Sequence, residues 1–358
     1  MSNRQLTLQI KKNNVKSKGN KRKKDMYFDI EKSLLEKATE AENECLEMFK
    51  KYDELCLHNS AKILKAFQDK QLSSTDFIEV NGYGAYDAGR DKLEAIYAQI
   101  FGAEDALVRP QIMSGTHALS LTFFGLLKHG DTMISITGKP YDSLQTIIGI
   151  EGDSRNSLIK NGIKYEQIDL IDNADFDIEK IVARLKQSKV RLIEIQRSRG
   201  YAHRQSLSIE KIERVCKAIK EVDKDVIIMV DNCYGDLVED REPTHVGADV
   251  VVGSLMKNLG GGICKSGGYM VGTKECISDI AERFSAPGTG KELGANFNEN
   301  LNYFKGLFFA PHAVCSSLKT MTFASRLLEK LGFDVVPNST ESRHDIIQAV
   351  TFGSEEGV

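Results

Sequence analysis

Between Lys92 and Phe284 the chain alternates short apolar runs with amphipathic stretches, and few folds accept that pattern. Ala106–Arg109, Thr132–Ile136, Ile163–Ile168, Val190–Ile195, Val226–Val230 and Val250–Val252 read as strands. Lys92–Phe101, Gly115–Leu127, Ile178–Leu185 and Ile209–Val222 read as the helices interleaved with them. Strands apolar on both faces need cover on both, and a helix between strands brings the chain back in the same direction. The expectation is an α/β fold with a mostly parallel sheet flanked by helices. Phe28 to about Phe67 reads as helical, with a second helix opening at Asn59-Ser60 and ending near Gln71. From Lys274 the pattern is mainly helical to about Leu331, followed by short elements at Asp334–Val336 and Asp345–Val350. The segments are then a basic disordered tail (1–25), the N-terminal helices of a small domain (26–80), a large domain (81–305) and the start of a C-terminal small domain (306–358).

Composition narrows the class. The 358 residues are 41% hydrophobic and 28% charged, which is globular usage. A core of this size needs no cross-links. The seven cysteines are scattered and never spaced C-x-x-C, so they read as reduced thiols and not as a zinc site. No run is long and apolar enough to span a membrane, and no leader pattern opens the chain, so a cytoplasmic protein is expected. Residues 1–24 hold nine Lys/Arg and no acid, while the whole chain carries a net charge of −3. The body is therefore acidic, which argues against nucleic-acid binding; the tail reads as a solvated extension.

Common catalytic motifs are missing. The glycines at 82, 84 and 89 do not fit G-x-G-x-x-G, and Gly260-Gly261-Gly262 follows Lys257 where a P-loop would precede its lysine. No metal-ligand cluster stands out. Four other signals lie in order along the expected sheet. Ser114-Gly115-Thr116 opens an apolar helix, where free N–H groups and hydroxyls can cradle a phosphate, although an ordinary N-cap would look the same. Tyr141 follows a strand in a turn. Asp231 ends the very apolar strand Val226–Val230, at the sheet end where α/β folds bind ligands. Lys257 follows another apolar strand, beside Ser254 and before three glycines that permit close backbone approach. Any one of these could be structural. Together they supply what pyridoxal 5′-phosphate requires: an amine, an acid for the ring nitrogen, a phosphate cradle and an aromatic face.

Longer motifs carry a resemblance. Asn81-Gly82-Tyr83-Gly84, Gly89-Arg90-Asp91, Phe101–Gln111, Ile136–Asp142, Gln196–Tyr201 and Val230–Gly235 resemble the bacterial methionine gamma-lyase family, also called aluminium resistance proteins. That group looks like a branch of the fold-type I Cys/Met-metabolism enzymes, and the likeness covers about residues 30–353. It implies a fold-type I transferase fold, pyridoxal phosphate, carbon–sulfur cleavage of an amino-acid substrate, and a homodimer or homotetramer with sites at subunit interfaces. It implies that Lys257, Asp231 and Tyr141 are catalytic and that Tyr83, Tyr86 or Arg90 reach the neighbouring subunit's phosphate. Members continue past the point of Phe352-Gly353, where a substrate-carboxylate arginine is placed, so a C-terminally shortened site is expected, with an apolar face left near Phe333, Val335 and Val336. Elimination from cystathionine, transamination, and cofactor binding without turnover remain open, because the cofactor residues are common to all.

The assignment of Lys257 is directly testable. Borohydride reduction of the cofactor-loaded chain, followed by peptide mapping, should find the pyridoxyl group on Lys257. A label on Lys139 or Lys265 would sink the assignment.

Overall fold

In the computed structural model, residues 28–83 and 87–353 are described. The first element is a single helix, α1 (Lys32–Asp69). The break expected at Asn59 does not occur. Asn59 looks like a helix breaker, but it is buried, and its side-chain amide donates to the carbonyls of Leu237 (3.0 Å) and Glu239 (3.3 Å). A tertiary partner satisfies the polar group, and the helix runs on.

The alternating region follows as α2 (Ala88–Phe101), β1 (Asp105–Arg109), α3 (Gly115–Leu126), β2 (Thr132–Ser135), α4 (Asp142–Ile148), β3 (Lys164–Gln167), α5 (Ile178–Leu185), β4 (Leu192–Gln196), α6 (Ile209–Val222), β5 (Ile227–Asp231), β6 (Val250–Ser254), β7 (Gly268–Gly272) and α7 (Lys274–Phe284). The strands form one seven-stranded sheet in the order β1-β7-β6-β5-β4-β2-β3. Only β7 runs against the others. The six strands read from the sequence are present. The seventh, β7, was not read, because Gly268-Tyr-Met-Val-Gly272 is short and ends in glycine on both sides. Those glycines fit its place: a Cβ on Gly268 would crowd the side chains of Ile112 (2.6 Å) and Ala118 (3.1 Å).

The sheet separates two apolar layers. One joins alternate strand residues such as Ile193, Ile228 and Val251 to α2, α6 and the helix α8 (Asn300–Lys330). The other joins Leu192, Met229 and Val252 to α3, α4 and α7. The period of two along each strand sorts these residues between the layers. Helix α8 packs along α1 and runs unbroken through residue 306. The chain then forms a small antiparallel pair, β8 (Asp334–Val336) with β9 (Ala349–Thr351). Residues 345–348 are not strand, which shortens the expected final element. The expected bare face is smaller than the sequence suggests. Val335 is buried, since β8 lies on α8, and Phe333 meets Phe352 edge to face at 5.7 Å.

The start of the sheet is held by a buried ion pair. Arg109 and Glu94 are both fully enclosed and bonded to each other, and Glu94 also accepts the backbone N–H of Val108 at 2.9 Å. Removing one partner strands the other's charge in the interior. Glu94→Ala should therefore cost about 3–5 kcal/mol. The check is the midpoint of urea unfolding, and an unchanged midpoint would contradict it.

Candidate active site

The C-terminal ends of β2, β5 and β6 meet the N-terminus of α3 around a cavity of about 580 Å³. Six of the residues singled out from the sequence line it: Ser114, Gly115, Thr116, Tyr141, Ser254 and Lys257. Ser114 is the N-cap of α3, its Oγ accepting the N–H of His117 at 3.2 Å. The following N–H groups have no helical partner and face the cavity end of the helix. Gly115 packs tightly, since a Cβ there would stand 3.1 Å from both the Cys233 Sγ and the Ser254 Cβ and would need them to give way. The helix end thus sits directly against the loops after β5 and β6. Thr116 Oγ1 lies 3.5 Å from the Tyr141 hydroxyl, which ties the aromatic to the same cradle.

Asp231 closes β5 and is buried just beneath the cavity, one oxygen accepting the N–H of Cys233 at 3.0 Å. Burial raises its pKa, and the Lys257 charge opposes that rise. Burial works against the charge on Lys257 in turn, but Cys233, Asp231 and Tyr234 outweigh it and its pKa is raised. The Lys257 Nζ stands 3.8 Å from the centre of the Tyr234 ring. Tyr141 is raised as well, by burial first and by Asp231 next, so its hydroxyl stays protonated.

The remaining three sequence choices are elsewhere. Arg90 is buried on α2, its guanidinium bonded to Asp91 (3.0 Å) and to the carbonyl of Glu292 (3.3 Å). Tyr83 is 86% exposed, and neither residue lines this chain's own cavity. Tyr86 lies outside the described residues.

Several site residues escaped the sequence reading. Cys233 and Tyr234 line the cavity and sit in the same short run as Asp231, so their neighbourhood was visible but their roles were not. Glu194 left a clearer signal, a lone acid inside the apolar strand Leu192-Ile-Glu-Ile-Gln196. It shares a sheet face with Asp231, is fully buried, and accepts the Ser135 hydroxyl at 2.6 Å. Burial pushes its pKa up to about 7. Val314 and Ser317 of α8 and Ile346 close the far wall, and no local pattern announces them. Ile346 is held by its N–H donating to the Tyr234 carbonyl at 3.2 Å, and its neighbour Asp345 accepts from the Ser198 hydroxyl (2.8 Å) and the Arg199 N–H (3.1 Å).

These residues fit pyridoxal 5′-phosphate. The donor set at Ser114–Thr116 and Ser254 suits a dianionic phosphate, Asp231 is a buried acid with a purpose for a ring nitrogen, and Lys257 is the only Lys or Arg among the described lining residues. Among the described residues there is no cluster of metal-ligand type and no helix long and apolar enough to cross a membrane. All seven cysteines are free thiols.

The profile of the family described as methionine gamma-lyase matches residues 34–358. Protein YnbB of Bacillus subtilis (strain 168) is 43% identical over 325 residues, which is 90% of this chain and 77% of YnbB. The structure of a carbon–sulfur lyase involved in aluminum resistance from Clostridium novyi NT superposes with a TM-score of 0.89 at 42% identity, over 91% of this chain and 78% of that one. A Clostridium acetobutylicum structure, described as a candidate cystathionine beta-lyase involved in aluminum resistance, gives 0.89 at 44% identity with the same coverage. The pyridoxal-5′-phosphate dependent protein YhfS of Escherichia coli shares the fold, with a TM-score of 0.60 at 18% identity over 84% of this chain and 76% of YhfS. The architecture is that of the fold-type I enzymes.

Glu194 generates a pH prediction. Its pKa in the fold is about 7 against an ordinary value of 4.5, so between these values the folded chain keeps a proton that the unfolded chain has lost. The stability linked to that proton is complete below about pH 4.5 and is lost as pH rises through 7. The change is on the order of 3 kcal/mol. Glu194→Gln, which is always neutral, should flatten the fall in urea midpoint over this window. Asp236, raised by burial to about 8, adds a larger contribution of the same sign that the substitution leaves in place. A wild-type slope in Glu194→Gln would show that Glu194 is already ionised in the fold.

Proposed function

Because the chain belongs to the methionine gamma-lyase family, we propose that it is a pyridoxal 5′-phosphate-dependent carbon–sulfur lyase acting on a sulfur amino acid. The single observation behind this reading is the convergence of an amine, a buried acid, an aromatic face and a capped helix N-terminus on one cavity. When bound, the cofactor supplies an electron sink for a carbanion at the substrate Cα.

The chain's own residues divide the remaining work. The N–H groups at the start of α3, with the hydroxyls of Ser114, Thr116 and Ser254, take the phosphate, where the helix end favours negative charge. Asp231 would hold a proton on the ring nitrogen. A desolvated carboxylate does little for stability there, but it sets which protonation state is populated. Tyr141, which lines the cavity, would supply an aromatic face to the ring. Lys257, the amine of the cavity, would hold the cofactor covalently, and its free neutral form would be the base that accepts the Cα proton. Tyr141, kept protonated by burial, can give its proton to the departing sulfur. Met256, Val314 and Ile346 offer an apolar wall for a thioether side chain.

Methionine, with γ-elimination to methanethiol, 2-oxobutyrate and ammonia, is the substrate we put first; β-elimination from cystathionine uses the same residues up to Cα proton removal. We place the chain in a homodimer or homotetramer, in which Tyr83, Tyr86 or Arg90 meets the neighbour's phosphate. A second reading, cofactor binding without turnover, is favoured by one observation. Among the described residues no arginine lines the cavity to take a substrate carboxylate.

The test is a product assay on the cofactor-loaded chain with methionine and cystathionine. Release of a thiol and a keto acid is expected, and Asp231→Asn should lower turnover by roughly 10²-fold or more. Bound cofactor with no keto acid from either substrate would leave the second reading in possession.

A further inference from the structure

Tyr234 has an unusual backbone. Its φ is +68°, a left-handed conformation that a bulky aromatic adopts at a cost of order 1–3 kcal/mol. Such a conformer persists only where its surroundings hold it. Here they do: the Tyr234 carbonyl accepts the N–H of Ile346, and Asn232 and Gly235 on either side are both bonded to the Arg197 guanidinium, at 2.8 and 2.9 Å. The result of this constraint is visible at one place. The ring is presented to Lys257, whose Nζ lies 3.8 Å from the ring centre. An ammonium over an aromatic face is attracted by the ring quadrupole, most strongly where water is excluded.

The proposed reaction makes such an ammonium. When Lys257 takes the Cα proton, Nζ passes from neutral amine to cation in a half-buried cavity. We propose that the face of the Tyr234 ring receives the Lys257 ammonium, so that Tyr234 is a positioning residue that strengthens Lys257 as a base. This rests on Lys257 being the cofactor lysine, but not on which carbon–sulfur bond is broken. Asp231 beneath the cavity and Cys233 are the other titratable groups beside Nζ on the β5 side; Tyr141, across the cavity, stays protonated. Asp231 is committed to the ring nitrogen when the cofactor is present. That leaves the Tyr234 face as the partner free to answer the new charge.

The experiment compares Tyr234→Phe with the same position carrying pentafluorophenylalanine, which keeps the shape and apolar character of the ring but removes its negative face. Both strain the backbone alike, so folding does not separate them. In the full chain stripped of cofactor, the pH dependence of reductive methylation at Lys257 is read by peptide mass spectrometry, with exposed Lys37 as internal reference. Tyr234→Phe should keep the wild-type midpoint. The fluorinated ring should lower it by about 0.5–1.5 pH units. In the loaded enzyme the fluorinated variant should lose severalfold in kcat with KM unchanged. Equal midpoints for the two rings would overturn the proposal, as would a full shift in Tyr234→Phe, which would assign the effect to the hydroxyl. The methylation readout needs no turnover, so it stands or falls apart from the lyase assay. A borohydride label on a lysine other than Lys257 would remove the premise instead.

Discussion

The end of the sheet is organised around one buried guanidinium. Arg197, just past β4, bonds Asn232 and Gly235 in the loop after β5, the carboxylate of Glu239 at 2.7 Å, and lies 3.7 Å from that of Glu242. Asn232 passes the connection on, donating to Glu242 at 2.9 Å and to Asp236 at 3.3 Å. Asn258, the residue after Lys257, donates to the Asp236 carbonyl at 2.8 Å. The end of β5 at Asp231, the following loop with Cys233 and Tyr234, and the loop with Lys257 are thereby fixed to each other. A buried charge is tolerable only when its donors are used, and nearly all of this one's are. The same requirement makes the network a rigid base, because removing any member leaves the others unpaired in the interior.

On that base stand groups whose ordinary charges burial alters. Asp231 beneath the cavity, Glu194 on the same sheet face and Asp236 in the loop after β5 are acids pushed upward by burial. Perturbed acids collect at working sites because burial there serves chemistry and not stability. Lys257 is held charged by its neighbours against the cost of burial. An acid that burial makes reluctant to ionise thus stands beside an amine whose charge its neighbours favour.

The order of strands and helices was legible because most strands are short apolar runs bracketed by polar turns, so period and length agree; the edge strand β3 (Lys164–Gln167) is the polar exception. Three elements were not: β7, the unbroken course of α1, and the short helix α4, which was not read at all. β7 hides in a glycine-bounded run whose glycines answer to neighbours far along the chain. α1 looks broken at Asn59 until Leu237 and Glu239 arrive to take its amide. In the site, Ser114, Thr116, Tyr141, Asp231, Ser254 and Lys257 could be chosen because each stands at a strand end or helix start, where residue type and position point the same way. Glu194 could have been chosen on the same logic, as a lone acid in an apolar strand.

What the sequence by itself determined is therefore the local part: which runs are strands, which ends carry polar groups, and in what order those ends follow. Side-chain period and the chemistry of helix termini are properties of neighbours in the chain. The tertiary structure decided which ends converge, that Gly115 lets α3 sit tightly against the two loops, and that Ile346 and helix α8 close the far wall. It alone turned Tyr234 into a left-handed outlier facing Lys257. Those outcomes depend on contacts between residues tens to hundreds of positions apart, and no local pattern encodes them, because the energy that holds them comes from packing the whole sheet end at once.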